Sequence, residues 1–398
     1  MLIDDKILAK RTANTLNPQT DLVALALQNP DKWEKDFLSE VINQFKITEK
    51  LKSKIPSWAK VDGIIGGSLL NIEQCSSEIS AQEKFKDLSG DRAIDLTGGF
   101  GVDTFFLAQK FKEVIYCEAN AELVEIVKHN FQCLQINNVI FYHGMAEDFL
   151  TENAQLKADL IYADPDRRSA DNKKLIRIAD CKPDMEALSN TLLHISERVL
   201  IKYSPMLDIS LALNSLAYCQ KVTAVAVLNE VKELLFDIRG GFIDETQIEA
   251  KNLHHDIWQK FQYTLENEQD TYATFSDPLQ FLYEPNAAIL KTGAFKSIAE
   301  AYALKKLATN SHFYTSDELR AEFPGKILKV KELLGTSSKD LKKFKNEKVN
   351  IIARNYPIGT DIIKKKYHLM DGGDSFLVFT QNAKGQKIAI FAEKINLK

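Results

Sequence analysis

The fold of this chain is decided by one stretch, Arg92-Ala93-Ile94-Asp95-Leu96-Thr97-Gly98-Gly99-Phe100-Gly101-Val102-Asp103. It reads as a short apolar strand that ends at Asp95, a tight glycine turn, and a helix that begins at Val102. Gly99 and Gly101 allow the backbone to approach a ligand closely, and the first N–H groups of the helix suit an anionic group such as a carboxylate. The pattern predicts a ligand that lies across the carboxyl edge of a parallel sheet.

Two further strands of the predicted sheet lead to acidic residues. Val114-Ile115-Tyr116-Cys117-Glu118 precedes a predicted helix over residues 121–135, and its terminal carboxylate suits the two hydroxyls of a ribose. Another strand, Asp159-Leu160-Ile161-Tyr162-Ala163, opens into Asp164-Pro165-Asp166-Arg167-Arg168. Because the carboxyl ends of parallel strands lie at one edge of a sheet, we expect all three acidic ends to face one site.

Residues 92 to about 240 resemble a class I S-adenosylmethionine (SAM)-dependent methyltransferase, which implies an α/β fold with a Rossmann-like, seven-stranded sheet. The resemblance implies SAM as the cofactor, with its ribose on Glu118. It assigns the methionine end of SAM to the first loop, at Asp95, Thr97, Gly98, Gly99 and Gly101. It assigns the adenine to the loop after the third strand, where the N–H groups of Met145 and Ala146, or the side chains of Glu147 and Asp148, replace the usual aspartate.

The loop after the fourth strand carries the residues that we assign to chemistry. Asp164, beside the rigid Pro165, is the candidate that orients the lone pair of a neutral amine and removes charge as the new bond forms. Asp166 is a second candidate for this role or a member of an ion pair. Arg167 and Arg168 either bind a phosphate of the substrate bidentately or clamp the loop.

Two alternative chemistries are disfavoured. Enzymes that form 5-methyluridine need a cysteine nucleophile just after the fifth strand, where this chain reads Lys202-Tyr203-Ser204-Pro205. A G-x-G-x-x-G dinucleotide pattern needs glycine where Thr104 stands, which disfavours NAD. The aromatic residue that stacks a base in amino-methylating enzymes is missing after Pro165, so Tyr162, Tyr203 or another domain has to replace it.

Composition favours a cytoplasmic protein. The 398 residues are 45% apolar and 27% charged, and the five cysteines show no C-x-x-C spacing. We expect a reduced environment, no structural metal, no signal peptide and no membrane contact. Residues 291–398 hold 21 Lys and Arg against 11 Asp and Glu, whereas residues 1–290 hold 30 against 44. A basic C-terminal part on an acidic body predicts a polyanionic partner or a solvated lysine-rich surface.

The pattern of apolar and breaking residues predicts four regions. They are a helical region at 1–88, the methyltransferase domain at 89–240, a small α+β segment at 241–285 and a basic α+β domain at 286–398. Within the last two regions we predict strands at 272–275 and 280–283, an interrupted helix at 287–307 and a lysine-rich helix at 338–344. A closing hairpin is predicted from residues 222–228 and 233–238.

Nearly the whole chain resembles a group of bacterial proteins classed as methyltransferases. They carry a ferredoxin-like domain, here assigned to 241–285, and a C-terminal domain likened to the RNA-binding THUMP module. The resemblance is carried by three stretches: Glu284-Pro285-Asn286, Tyr314-Thr315-Ser316-Asp317 and Ile352-Ala353-Arg354-Asn355-Tyr356-Pro357.

Together these features predict a SAM-dependent enzyme that methylates a nitrogen of an RNA base, in tRNA or rRNA, without a covalent cysteine intermediate. The alternatives are a methyltransferase for a protein or small molecule, and a non-catalytic protein that binds SAM and RNA. Phosphate contacts are assigned to basic residues of the C-terminal part, namely Lys342, Lys343, Lys345, Arg354, Lys364, Lys365 and Lys366.

Overall fold

The computed structural model describes residues 2–167 and 178–395. The chain divides into two compact units. The first contains Met1–Cys219 and Phe236–Phe242, and the second contains Gln220–Leu235 and Ile243–Lys398.

The first unit begins with six helices, as the sequence pattern predicted for this region. They are α1 (Ile3–Ala13), α2 (Leu22–Gln28), α3 (Lys35–Lys54), α4 (Pro56–Ala59), α5 (Leu69–Gln74) and α6 (Glu78–Phe85). Asn29 ends α2 in the left-handed conformation, with φ of 39°, just before Pro30. Ser77 caps α6 through its side chain, which accepts a hydrogen bond from the N–H of Ser80.

Among the described residues, seven strands and their connecting helices follow in the first unit. The strands are β1 (Gly90–Asp95), β2 (Phe111–Glu118), β3 (Val139–His143), β4 (Leu160–Ala163), β5 (Asp166–Arg167), β6 (Cys181–Lys182) and β7 (Arg198–Tyr203). The helices are α7 (Val102–Ala108), α8 (Ala121–Cys133), α9 (Ala146–Glu152), α10 (Ser189–Ile195) and α11 (Ile209–Ser215). Five strands pair in the order β3-β2-β1-β4-β7, all parallel, so the carboxyl ends of β1, β2 and β4 share one edge. β5 and β6 form a separate antiparallel pair.

The remaining strands and helices come from residues 219–394. The strands are β8 (Cys219–Val227), β9 (Glu230–Arg239), β10 (Gln247–His254), β11 (Ile257–Thr264), β12 (Phe281–Pro285), β13 (Lys305–Lys306), β14 (Tyr314–Ser316), β15 (Gly325–Leu334), β16 (Asn350–Ala353), β17 (Ser375–Gln381) and β18 (Lys387–Lys394). The helices are α12 (Leu265–Asp270), α13 (Ala287–Thr292), α14 (Ser297–Ala301) and α15 (Thr360–Tyr367). A seven-stranded sheet in the second unit has the order β13-β14-β12-β15-β18-β17-β16.

The Rossmann-like α/β architecture agrees with the sequence prediction, but the predicted count of seven strands in the methyltransferase sheet is not confirmed. Over the described residues this sheet has nine strands. The predicted hairpin corresponds to β8 and β9, whose two-residue turn has positive φ at Leu228 and Asn229. β10 and β11 lie where the sequence suggested a separate segment. β10 pairs in parallel with β8, and β11 pairs antiparallel with β10.

Two local predictions in the second unit are wrong. Residues 272–275 form no strand, because only Phe275 makes an isolated bridge, to Lys306. The predicted helix at 338–344 is reduced to a 3₁₀ turn, Lys342–Phe344. Lys364, Lys365 and Lys366 lie in the last turn of α15, a helix that the sequence analysis did not predict and in which Ile363 and Tyr367 are buried.

None of the helices within residues 2–167 and 178–395 is long and apolar enough to cross a membrane.

Candidate active site

The β1 carboxylate, Asp95, is fully buried within its own loop. Its Oδ2 accepts a hydrogen bond of 2.6 Å from the hydroxyl of Thr104, and its Oδ1 accepts one of 3.1 Å from the N–H of Thr97. Burial raises the pKa of Asp95 to about 7, although these hydrogen bonds oppose the rise. Asp95 therefore fixes the shape of the loop from the inside, and its assignment to the methionine end of SAM stays a prediction.

The glycine turn is packed against β2 and α8. The N–H of Gly98 donates to the carbonyl of Cys117 at 2.8 Å, and a Cβ on Gly98 would lie 2.1 Å from the ring of Tyr116. Gly99 and Gly101 have φ of +53° and +81°, which favours glycine. These residues are required by the fold of the turn whether or not a ligand is bound.

Glu118 at the end of β2 is half-buried and joins the two loops. Its Oε2 accepts a hydrogen bond of 3.0 Å from the N–H of Gly99, and its Oε1 accepts one of 2.8 Å from the N–H of Asn120. Each carboxylate oxygen has two lone pairs, so both can still accept from a ribose hydroxyl. The N–H of Gly144 donates to the carbonyl of Glu118 at 3.0 Å, which brings the loop after β3 alongside.

The loop after β3 contains a buried polar atom without a partner. Met145 precedes α9 and is 36% exposed, and Ala146 is buried. Oε2 of Glu147 is buried and has no hydrogen-bond partner among the described residues. An unpaired buried carboxylate oxygen is costly, and an amino group such as that of adenine would satisfy it. The residues present therefore fit SAM, and burial favours Glu147 over Asp148, which is exposed.

The acceptor-loop residues lie at the same edge of the sheet. The N–H of Asp164 donates to the hydroxyl of Thr97 at 2.6 Å, which ties the acceptor loop to the glycine loop. Pro165 is buried and Asp166 is exposed in β5. Arg168 lies outside the described residues, and only the backbone of Arg167, in β5, is described.

A buried charge cluster beneath these loops was not predicted from the sequence. Nζ of Lys84 donates to Asp103 Oδ1 at 2.9 Å, to the hydroxyl of Tyr162 at 3.0 Å and to that of Ser76 at 3.1 Å. Both hydroxyls in turn donate to Asp103 Oδ2 at 2.8 Å. The cluster joins α6, α7 and β4, three elements that only the fold brings together.

A second ion pair lies at the acceptor loop itself. Nζ of Lys202, on β7, contacts Oδ2 of Asp164. β4 and β7 are adjacent parallel strands in which Ala163 faces Ile201, so the next residues along the chain, Asp164 and Lys202, are brought together. The sequence motif Lys202-Tyr203-Ser204-Pro205 gave no indication that Lys202 pairs with Asp164.

Neither tyrosine suggested as a base-stacking residue is available for that role. The side chain of Tyr162 is buried and committed to the cluster of Lys84 and Asp103. Tyr203 is 2% exposed and packs against Phe236. A stacking side chain for the acceptor therefore has to come from elsewhere.

The five cysteines lack the features of an activated nucleophile. Burial raises the pKa of Cys75 to about 11, and burial also raises the pKa values of Cys117 and Cys133. Cys181 and Cys219 are 2% and 4% exposed. A catalytic thiol needs access and a lowered pKa. Across the described parts of the chain, no group of three His, Cys, Asp or Glu side chains is placed to hold a metal ion.

A Rossmann-like sheet with a glycine loop after β1, an acid after β2 and an Asp-Pro loop after β4 defines a class I SAM-dependent methyltransferase. The crystal structure of a protein from Porphyromonas gingivalis W83, described as a candidate methyltransferase, is similar to this chain with a TM-score of 0.90. The two are 30% identical, and the similarity covers 99% of each chain. This chain therefore belongs to the same methyltransferase family as the Porphyromonas gingivalis protein.

Two family models match the C-terminal part. A ferredoxin-like domain matches residues 281–324, and a THUMP-like domain matches residues 325–394. Both domain types agree with the sequence analysis. The matched ranges differ from the predicted bounds of 241–285 and 286–398, and the full division into four regions stays a prediction.

Curated relatives share a shorter stretch. A Clostridium tetani protein named as an uncharacterised RNA methyltransferase is 26% identical over 174 residues, which cover 42% of this chain and 35% of the relative. The 23S rRNA (uracil(1939)-C(5))-methyltransferase RlmD of Shewanella frigidimarina is 39% identical over 83 residues, 21% of this chain and 18% of the relative. The chain thus spans about a third or less of the length of these relatives.

Proposed function

We propose that this protein is a SAM-dependent methyltransferase that modifies a nitrogen of an RNA base, in tRNA or rRNA. The observation that carries the proposal is the Asp164 carboxylate, held at the carboxyl edge of the sheet by a backbone bond to Thr97 and an ion pair with Lys202. A carboxylate in this place can orient an amine and take its proton. The names of the curated relatives and the THUMP-like domain support RNA as the substrate.

The cofactor would be held by the residues that line the three loops. We assign the ribose to Glu118, the adenine amino group to Glu147 with the N–H groups of Met145 and Ala146, and the methionine end to the loop Asp95–Gly101. Bound SAM supplies a methyl group on a positively charged sulfur. The chain itself supplies position and charge: the glycine turn fixes the cofactor loop, and Asp164 accepts a proton from the methylated amine.

Nitrogen is favoured over carbon because carbon methylation needs a cysteine nucleophile, and the cysteines here are buried or have raised pKa values. Carbon 5 of uracil is the second candidate, since three relatives are named for that reaction. We also propose a cytoplasmic location, which an RNA substrate and five cysteines that form no disulfide favour.

The test uses the purified full chain with methyl-labelled SAM and total RNA from a strain that lacks the protein, beside RNA from the wild type. We expect label to enter the deficient RNA, and nucleoside mass spectrometry to show an N-methylated base. Recovery of 5-methyluridine would establish the second candidate instead. Transfer of label only to protein or to small molecules would exclude RNA as the substrate. SAM binding without transfer of label to RNA, protein or small molecules would exclude an enzymatic function.

Changing Glu118 to Ala is expected to weaken SAM binding by about 1–3 kcal/mol, or roughly 5- to 150-fold, because ribose hydroxyls lose their acceptor. Isothermal titration calorimetry measures the change. Glu113→Ala is the matched control, because Glu113 lies at the opposite end of β2 and pairs with Arg92. Equal SAM affinity in Glu118→Ala and wild type would remove the ribose assignment.

The RNA interface is assigned to the basic surface of the C-terminal domain. Several predicted residues are in ion pairs: Lys343 with Glu332, Arg354 with Glu284 and Lys364 with Asp371. Lys342, Lys345 and Lys365 are exposed. The 3₁₀ turn and α15 that carry them both pack on one core cluster, through Phe344, Ile363 and Tyr367. We therefore propose these three lysines as the principal phosphate contacts.

Reversing Lys342, Lys345 and Lys365 to Glu is expected to weaken RNA binding by the full chain at least tenfold at low salt. The plot of log affinity against log salt should also become less steep by roughly 2 to 3, because three fewer phosphate contacts release fewer counterions on binding. Filter binding across a salt series measures both. The control is reversal of Lys46, Lys112 and Lys128, which changes net charge equally on the first unit. Equal losses in the two triple variants would contradict the assigned interface.

A further inference from the structure

The ion pair between Lys202 and Asp164 is partly shielded from water. The side chain of Lys202 is 12% exposed and that of Asp164 is 33% exposed. Exposed surface pairs contribute little, but a pair at this depth interacts through a lower effective dielectric. Lys202 is placed by the regular geometry of β7, which is a rigid support compared with a loop.

Asp164 lies in a crowded field of like and unlike charges. Within the part of the chain that the structure describes, the groups that act on it are Lys202 from β7, Lys84 from α6, Asp103 from α7 and Asp95 from β1. Burial raises the pKa of Asp164 above its ordinary value and Asp103 adds to the rise, whereas the two lysines oppose it. Without Lys202, Lys84 would be the one cation left among these described groups to offset three carboxylates.

The other charged groups near Lys202 do not take its place beside Asp164. Lys54 of α3, the thiol of Cys75 and Asp103 of α7 also interact electrostatically with Lys202. Lys84 is already bonded to Asp103 at 2.9 Å. Among the described residues, Lys202 is therefore the cation in direct contact with the Asp164 side chain.

The backbone bond to Thr97 fixes the main chain of Asp164 but leaves the rotation of its side chain open. The contact with Lys202 is made through Oδ2 of the Asp164 carboxylate. One oxygen is thus committed to the ion pair and the other can accept a hydrogen bond from a substrate.

We propose that Lys202 is a positioning residue that fixes the Asp164 carboxylate in its ionised form at the edge of the sheet. The inference rests on the proposed methyl transfer to an amine. In that step the nitrogen lone pair forms the N–C bond, the electron pair of the C–S bond leaves with the sulfur, and the proton lost from nitrogen passes to Asp164. A carboxyl group that is already protonated cannot accept it.

The first test measures the protonation of Asp164 without any methyl acceptor. The full chain is labelled with aspartate enriched in ¹³C at the carboxyl carbon, and the Asp164 signal is assigned by its loss in Asp164→Asn. An NMR pH titration of Lys202→Met is expected to show a pKa for Asp164 that is higher by about 1 unit or more. Lys202→Arg should keep the wild-type value, and so should the surface control Lys128→Met, whose partner is Glu125.

The second test follows the rate of methyl transfer against pH. The acidic limb of the profile should move to higher pH by the same amount in Lys202→Met, with activity recovering in alkaline buffer, and SAM affinity should stay unchanged. A pKa of Asp164 that is equal in Lys202→Met and wild type would overturn the inference. Failure of the wild type to methylate RNA would instead overturn the proposed function, because the NMR titration needs no substrate.

Discussion

Replacing Asp164 by Ala is expected to abolish methyl transfer while the affinity for SAM stays within a fewfold of wild type. In the proposed mechanism this carboxylate faces the methyl acceptor, whereas the assigned SAM contacts come from other loops. Loss of a group that orients the acceptor and takes its proton reduces rates by roughly 10²- to 10⁴-fold. Single-turnover transfer of labelled methyl to deficient RNA measures the rate, and calorimetry measures SAM binding.

Asp166→Ala is the matched control for this experiment. Asp166 lies two residues further along the same loop, is exposed, and was the second catalytic candidate. We expect a much smaller loss of rate for Asp166→Ala, since no described contact fixes its side chain toward the site. Wild-type turnover in Asp164→Ala would remove the catalytic assignment, and a comparable loss in both variants would transfer part of the role to Asp166.

Replacing Lys84 by Met is expected to destabilise the first unit by about 3–5 kcal/mol, the usual effect of removing one partner of a buried ion pair. The side chains of Lys84 and Asp103 are 0% and 11% exposed, so water cannot solvate the charge that remains when its partner is removed. Urea unfolding followed by fluorescence of the buried Trp58 measures the change. Trp33 and Trp258 are replaced by Phe in all variants so that the signal reports this unit.

The double variant Lys84→Met with Asp103→Asn completes a thermodynamic cycle. We expect it to be more stable than the sum of the single losses predicts, because no uncompensated charge remains buried. Burial raises the pKa of Asp103, but Lys84 and Lys202 outweigh burial and lower it overall. The stabilisation by the pair is therefore complete above the ordinary pKa of about 3.9 and is lost as pH falls below it. Equal unfolding midpoints for Lys84→Met and wild type would contradict the assigned contribution of the pair.

The catalytic-domain architecture could be predicted because its signals are local. A strand that ends in an acid, a glycine turn and a helix follow one another within twelve residues, and the alternation of strand and helix recurs at β2 and β3. Glycine at position 98 is dictated by the ring of Tyr116, and glycine at 99 and 101 by positive φ. Such requirements depend on near neighbours and on strand pairing that the α/β pattern already implies.

Strand boundaries and the smaller elements were less predictable because they depend on pairing and packing with elements that are distant in the sequence. β10 and β11 contain polar residues on both faces, so the chain gave only a weak period-2 signal, yet β10 gains pairing partners on both sides. The helix α15 was missed because four charged residues surround its few buried positions. Conversely, residues 272–275 have β-favouring side chains but find no strand to pair with.

The sequence by itself determined the class of fold, the glycine turn after β1, and the acidic residues that end β1 and β2 and directly follow β4. It did so because each signal is a short run of residues whose backbone conformation depends on residues close to it in the sequence. Only the tertiary structure decided which charges meet. Lys84, Asp103 and Tyr162 come from α6, α7 and β4, and Lys202 reaches Asp164 because β4 and β7 are adjacent. The energy of such pairs depends on burial and distance, and neither quantity is written in the spacing of residues along the chain.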